Sequence, residues 1–435
     1  MKHISIICFF KAFFGISFFS VTFARRMRIR YFYILLLSLF ANLQIWADSP
    51  KVEPFAFNPK TLQISLLTCS PGKEVWSLFG HTAIRFKSEQ TNTYDGNIDI
   101  VVNYGMFSFN QPNFVPRFVL GKTDYQMGII PMELFMNEYA YENRGVTEQV
   151  LNLSEKDKEA IAKALLVNYQ PENITYRYNF FYNNCTTKAR DLIVDHLSSK
   201  VTYNNKVANV SFRELTHRYN AVDKWAQLGD DLLLGMKADS PTNRSEQQFL
   251  PNNLMYDFAT ATYNGKPLVS KTNQLLTITP HKEKSGEIDY TPIFPPSPML
   301  CVIIFTFIAF IINLIEVKKV VAFRLWDALL MLITGLMGVV FTIMIFSEHP
   351  CVSANGLLLI FNPLSLFFLY PTMKKDKTLK KNLWWRLWAV LIVVGLLVGF
   401  IQYYPTPIVI MALFLLLNCG VHVLLEHENK LKTIR

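Results

Sequence analysis

Cysteine is scarce in this chain of 435 residues: the six present, at positions 8, 69, 185, 301, 351 and 419, are too few and too scattered for a disulfide framework or a zinc ribbon. Charge is sparse as well. With 17% charged and 51% hydrophobic residues, the composition excludes a disordered chain. No internal repeat, low-complexity block, metal cluster or phosphate-binding loop stands out, so no cofactor and no metal is expected. What the chain has in excess is apolar: 14% of it is aromatic and its mean hydropathy is +0.20, too high for a soluble protein of this length. Part of it belongs in lipid. The net charge of +10 raises the question of a nucleic-acid partner, which the placement of Lys and Arg decides.

Those residues flank apolar runs. Arg25, Arg26, Arg28 and Arg30 precede an apolar stretch from Tyr31 to Leu43, and Gln44-Ile45-Trp46-Ala47 follows. This is the order of a secretory signal peptide cleaved after Ala47, so residues 1–47 are read as a signal peptide, or as an uncleaved anchor with the same topology. The run before Arg25 is superfluous to such a signal, and Met27 would make a conventional start. From Pro298 onward five apolar runs, near 298–315, 326–346, 355–371, 386–404 and 407–426, are long enough or nearly so to cross a bilayer. The third carries Asn362-Pro363 and is expected to be broken or re-entrant.

Lys318, Lys319 and Arg324 follow the first run, Lys374, Lys375, Lys377, Lys380, Lys381 and Arg386 separate the third from the fourth, and Lys430, Lys432 and Arg435 form the tail. The stretches 347–356 and 403–407 hold no Lys or Arg. The positive-inside rule then places these two loops and the exported segment on one face, outside the cytoplasm, which predicts a multi-pass membrane protein with an exported domain. The positive charge marks topology beside anionic lipid, and a nucleic-acid partner is excluded.

Residues 48–290 are expected to form the exported domain and 291–435 the membrane domain. Alternating, β-branched segments predict strands at Gln63-Leu67, Thr82-Phe86 and Ile98-Tyr104. Ser154 caps a predicted helix running to about Tyr169, and another begins at Cys185 or Thr186 and runs to about His196. The domain therefore reads as α+β, and residues 270–296 read as a polar linker stiffened by Pro292, Pro295 and Pro296.

The run Phe180-Phe181-Tyr182-Asn183-Asn184-Cys185-Thr186-Thr187 places a thiol at the start of a helix, where free N–H groups and the positive end of the helix dipole lower a cysteine pKa. Those N–H groups, with the Asn184 amide, are candidates to hold an oxyanion. The bland reading is a buried small apolar side chain. A base is needed, and His81, His196, His217, His281 and His349 are the extracytoplasmic histidines. His196 is about 16 Å along the helix from Cys185, and His217 and His281 lack a surrounding pattern. His81, in Phe79-Gly80-His81-Thr82-Ala83-Ile84-Arg85, follows a glycine and opens a rigid strand, although a structural histidine is the alternative. Cys69 is either a core thiol or a disulfide partner that would silence Cys185. Arg85 offers an anion contact or a plain structural charge. The loop Glu348-His349-Pro350, with Asn355 and Asn362 beyond it, reads as a capping turn or as a contact for lipid headgroups.

Gly80-His81-Thr82-Ala83-Ile84-Arg85, Asn103-Tyr104-Gly105 with Phe107, and Asn184-Cys185-Thr186-Thr187 resemble the circularly permuted NlpC/P60 branch of the papain-like thiol enzymes, in which histidine precedes cysteine. The layout over about 48–426 resembles the lipoprotein N-acyltransferases of the Bacteroides type, Lnb. That resemblance implies an α+β papain-like periplasmic domain followed by an all-α transmembrane bundle of about five helices. It also implies Cys185 as thioester-forming nucleophile and His81 as base, with Asn103 as the residue orienting the imidazole and Asp99 behind it. Asn184, Arg85, Tyr104 and His349 are the candidates for oxyanion or substrate contacts. A phospholipid acyl donor and a diacylglyceryl lipoprotein acceptor are the implied partners. Two other functions fit the same residues: a membrane-anchored cysteine peptidase or amidase acting on cell-wall peptide, and a non-catalytic envelope scaffold.

Overall fold

The computed structural model describes residues 57–89, 97–221, 223–278 and 296–434. The expected signal peptide, the start at Met27 and His281 lie outside the described residues. Seven strands, β1 (Gln63–Cys69), β2 (His81–Ser88), β3 (Ile98–Met106), β4 (Asp124–Pro131), β5 (Val146–Leu151), β6 (Thr175–Arg177) and β7 (Val269–Leu276), pair antiparallel into one sheet. Their order is β6-β4-β3-β2-β1-β5-β7. The central strand β1 is buried at six consecutive positions, as a strand covered on both faces must be. The predicted strands are β1, β2 and β3. The stretch from 270, read as linker, instead begins as β7, whose edge position and polar sequence VSKTNQLL hide its strand character.

Seven helices of the same domain are α1 (Phe114–Val119), α2 (Met132–Tyr141), α3 (Glu155–Asn168), α4 (Cys185–Val194), α5 (Phe212–Asn220), α6 (Lys224–Leu233) and α7 (Pro251–Thr260). Ser154 caps α3 in a full capping box with Asp157, as the sequence predicts. Helix α4 packs against β2 and β3 and so carries its first residue to the sheet. One apolar core, with Leu67, Ala83, Val101 and Phe135, joins the sheet to α2. A second, with Phe181, Phe212, Phe249 and Leu250, supports the approach to α4.

The membrane domain comprises α8 (Pro298–Lys319), α9 (Arg324–Met344), α10 (Leu357–Ile360) and α11 (Leu364–Asp376), α12 (Leu383–Val398) and α13 (Thr406–Ile434). Four spans are long and apolar enough to cross a bilayer, with 357–376 counted as one, and Leu383–Val398 is a shorter apolar helix. The third run is broken between Ile360 and Leu364, at Asn362-Pro363, as expected. There the Trp388 indole N–H donates to the Ile360 carbonyl at 3.1 Å, satisfying an acceptor that the break frees. The break nests on α9 at Gly338, where a Cβ would stand 2.3 Å from the Asn362 carbonyl carbon. With 357–376 counted as one, the shortest helix of the five is the fourth. Leu379, with φ +47°, and the Asn382 cap delay its start. Apolar side chains such as Phe307, Phe367 and Phe400 point outward, which suits a lipid-facing surface.

The loop joining α9 to α10 docks on the sheet-bearing domain. Glu348 N–H donates to the Leu120 carbonyl at 2.9 Å, Gly235 N–H to the Cys351 carbonyl and Met236 N–H to the Ala354 carbonyl, each at 2.8 Å. Cys351 is buried among Phe181, Phe212 and Phe249 in the second core. Beside it Gln402, fully buried, accepts from Gly356 N–H at 2.8 Å and donates to the Leu234 carbonyl at 3.2 Å. The two domains thus share a hydrogen-bonded, apolar seam.

Candidate active site

Gly80, with φ +80°, turns the chain into β2 so closely to β1 that a Cβ would lie 2.6 Å from the Cys69 carbonyl oxygen. His81 is consequently the first residue of a rigid strand, in register with Cys69. On the neighbouring strand Asn103 pairs with Ala83. His81 Nε2 and Asn103 Oδ1 are 2.9 Å apart, which makes Nε2 the donor and leaves Nδ1 for a second partner. The Cys185 thiol lies close enough to the imidazole for each group to act on the charge of the other.

Cys185 arrives at the first turn of α4 because Asn184 caps the helix. The Asn184 Oδ1 accepts from the Thr186 and Thr187 amides at 2.9 Å each, and the Thr187 side chain returns a bond to the Asn184 amide. Its Nδ2 donates to the Phe180 and Phe249 carbonyls, both at 2.9 Å. The Asn184 amide, expected at the oxyanion, is therefore fully committed to holding the helix start. The Cys185 N–H is the remaining donor of that turn beside the sulfur. Thr186 Oγ1 lies 3.8 Å from Sγ and 3.1 Å from Thr82 Oγ1, tying α4 to β2.

Burial raises the Cys185 thiol, but the charge and hydrogen bond of His81, with the Thr82 amide and the Thr186 hydroxyl, outweigh it and bring its pKa from 9.0 to about 7. For His81 burial acts downward, and the thiolate charge and the hydrogen bonds to Cys185 and Asn103 reverse it, so the imidazole is held above its ordinary 6.5. Each group favours the charged form of the other. The arrangement suits a thiolate–imidazolium pair, a nucleophile with its proton carrier attached. Cys69 and Cys185 are both free thiols, which sets aside the disulfide alternative, and burial pushes the Cys69 thiol up to about 12.

The other predicted contacts fall elsewhere. Arg85 forms a bidentate pair with Asp99 at 2.7 and 2.6 Å and reaches Glu148 at 3.0 Å, so both Arg85 and Asp99 are satisfied within the sheet and Asp99 does not back Asn103. Tyr104 is buried, and its hydroxyl accepts from Asn168 Nδ2 at 3.0 Å, away from the thiol. His349 joins the docked loop to the domain: its Nδ1 accepts from Asn179 Nδ2 and its Nε2 donates to the Phe118 carbonyl, both at 3.3 Å.

Sequence reasoning missed several neighbours. A Cβ on Gly105 would stand 3.5 Å from Cys185 Cβ, with the Tyr176 hydroxyl 4.0 Å away on the other side. The Tyr176 hydroxyl lies against the Gly105 amide but outside hydrogen-bonding geometry, and it has no partner among the described residues. Burial and the nearby thiolate raise the pKa of both Tyr176 and Tyr178, so both remain protonated donors. Gly105 follows the Asn103-Tyr104 pair in sequence, whereas Tyr176 comes from the three-residue edge strand β6, too short to show a period. Beside the site runs a chain of rings: Trp76 on Phe109 at 5.8 Å, Phe109 on Phe107 at 4.9 Å, Phe107 on Phe114 at 5.8 Å, Phe114 on Phe118 at 6.0 Å and Phe118 on His349 at 6.1 Å. Trp76 and Phe109 are 58% and 60% exposed, too open to be core.

Residues 52–218 match the family model for the Lnb N-terminal periplasmic domain, and residues 290–430 match that for the Lnb transmembrane domain. Neither the comparison with curated proteins nor that with solved structures gives a match. With a sheet-rich periplasmic domain and an apolar helical bundle in the same order as these two matched stretches, which together span well over half of its length, the chain belongs to the Lnb family.

Proposed function

We propose that this protein is a lipoprotein N-acyltransferase that passes an acyl chain through a thioester on Cys185. The observation that carries the reading is the Cys185 thiol beside a His81 imidazole that is hydrogen bonded to Asn103, in a domain joined directly to a membrane bundle. Family membership supports the general role, and the residue assignments are our own.

In the first step the Cys185 thiolate attacks the ester carbonyl of a phospholipid. The carbon–sulfur bond forms, the ester carbon–oxygen bond breaks, and the departing alkoxide takes the proton from the His81 imidazolium to leave as lysophospholipid. In the second step the free α-amine of a diacylglyceryl-modified N-terminal cysteine attacks the thioester. The amide forms, the carbon–sulfur bond breaks, and neutral His81 takes the amine proton, restoring the ion pair. On this reading the Cys185 N–H and the Tyr176 hydroxyl, which has no hydrogen-bond partner among the described residues, receive the oxyanion in both steps. The bond from Nε2 to Asn103 leaves Nδ1 of His81, on the same reading, to exchange a proton with the sulfur. The rings from Trp76 to Phe118, of which Trp76, Phe109 and Phe118 are exposed, would then form an apolar bed for the acyl chains. Both substrates are lipid-anchored, so a thiol held at the membrane meets them at high effective concentration.

The test is to incubate the full chain, in membranes, with phospholipid labelled in its acyl chains and no acceptor. Label that is covalently attached, released by hydroxylamine and lost in Cys185→Ser supports the mechanism. An unlabelled wild-type chain, or release of cell-wall peptide without triacylated lipoprotein, overturns it in favour of a peptidase.

A further inference from the structure

The far end of the bundle holds a second concentration of reactive groups. Glu316 of α8, Asp327 of α9 and His422 of α13 bring one ligating atom each to within 4.8 Å of one another. All three are at most 2% exposed. Glu316 lies 18 residues beyond Pro298 and His422 16 beyond Thr406, about 27 and 24 Å along their helices, so the cluster is remote from Cys185. It plays no part in the acyl-transfer mechanism.

The cluster is incompletely satisfied. His422 Nε2 is 2.9 Å from Asp327 Oδ1, and Glu316 Oε1 accepts from Phe323 N–H at 2.6 Å. Glu316 Oε2 and Asp327 Oδ2 are buried with no hydrogen-bond partner among the described residues. Two neutral amides add to this. Asn418, one helical turn before His422 on the same face of α13, is fully buried; its Nδ2 reaches Asp327 Oδ1 at only 3.5 Å and its Oδ1 has no partner. Asn313, three residues before Glu316, is 3% exposed and both its amide atoms lack partners.

Two carboxylates against one imidazole leave uncompensated negative charge in a dry interior, an arrangement buried ions avoid unless something positive lies between them. The nearby Arg386 does not serve, being paired to Glu426 at 2.7 Å. A half-turn of the Asn418 amide would present its oxygen to the same carboxylates, a repulsive contact that a cation between them makes favourable. One imidazole, two carboxylates and an amide oxygen are the donor set of a four-coordinate borderline cation, and the imidazole disfavours magnesium and calcium. We propose that Glu316, Asp327 and His422, with Asn418 as fourth donor, bind one Zn2+ that staples α8, α9 and α13 together.

The test uses the full chain in lipid nanodiscs with Cys185→Ala in the background, so that the thiol site contributes no metal. After exposure to Zn2+ and exhaustive dialysis, elemental analysis should find about one Zn2+ per chain. Substitution with Co2+ should give the intense visible bands of a tetrahedral site. The variants His422→Gln, which keeps a hydrogen-bond donor, and Asp327→Asn should lose both, and a strong chelator should lower the unfolding temperature of the parent chain alone. A parent chain with no more Zn2+ than these variants, or one whose unfolding temperature ignores both chelator and Zn2+, overturns the proposal and leaves the carboxylates neutralised by protons. Because the readouts are metal content and unfolding in a chain already lacking the thiol, the result is independent of whether Cys185 forms a thioester.

Discussion

The proposed pairing of Cys185 with His81 has a pH signature that is measurable without any substrate. With the thiol lowered to about 7, thiolate accumulates as pH rises through 7. The rate of alkylation by iodoacetamide should therefore have its midpoint near pH 7. In His81→Ala the lowering influence is removed, and the midpoint should move upward toward the ordinary 9.0; an unmoved midpoint would mean the imidazole does not act on the sulfur. On the proposed mechanism His81→Ala should cost about 10²- to 10⁴-fold in acyl transfer. Asn103→Ala, which frees the imidazole to rotate, should cost less, with turnover falling while the apparent affinity for phospholipid stays constant. At this scale the sequence was informative where chemistry needs a rare residue in a rigid setting. Cys185 at a helix start and His81 after a glycine are candidates on local pattern, whereas Asn103 enters only through the third polar residue that the family resemblance implies. Arg85 and Asp99 were not, because only the register of β2 on β3 shows that they neutralise each other. Tyr176 was missed because its role depends on an edge strand far along the chain.

Helix α4 owes its start to one side chain. Asn184→Ala would remove the cap, worth about 1–2 kcal/mol, and would leave the Phe180 and Phe249 carbonyls without their donor. We expect a loss of about 2 kcal/mol or more in thermal unfolding. We also expect a fall in iodoacetamide reactivity at neutral pH, because the sulfur loses the turn that positions it. Asn184→Ser, which keeps the cap oxygen, should recover part of the stability. Among the membrane elements, the interrupted third run was legible from Asn362-Pro363 alone, since proline removes a donor and restricts the residue before it. The short fourth helix was not: its apolar composition continues through Tyr404, and only the turn at Leu379 and the hydrogen bonds of residues 399–402 set its ends. Gly338→Val should destabilise this region, because a side chain there meets the backbone of the break. The expected signature is a lowered unfolding temperature with the Cys185 alkylation profile unchanged.

For the whole molecule, the seam between domains is where sequence patterns carried least. Loop 347–356 reads as a turn between two spans, yet it buries Cys351 in the core of the other domain, donates to the Leu120 carbonyl and accepts from the Gly235 and Met236 amides. Nothing in its period or composition announces that, because the contact joins residues more than a hundred positions apart. Gln402→Leu would strand the Gly356 amide in a buried site, a cost of about 1–3 kcal/mol, and would leave the Leu234 carbonyl with Arg213 as its donor. Differential scanning calorimetry should register the loss. Acyl transfer between membrane-bound substrates should fall more than alkylation of Cys185 by a small soluble reagent, and equal losses would argue against coupling across the seam.

The bond from Asn179 to His349 has a consequence for selectivity. Asn179 receives the Phe181 and Tyr182 amides through its side chain in the turn that leads to Cys185, while its amide nitrogen grips a histidine fixed between two spans. On the proposed function, this bond would fix the sulfur at a set altitude over the bilayer, like a plumb bob on a short line. An ester would then be chosen by how far it sits from the hydrocarbon rather than by the identity of the polar group attached to it, and bilayers of altered thickness should tune the reaction without any change in the protein.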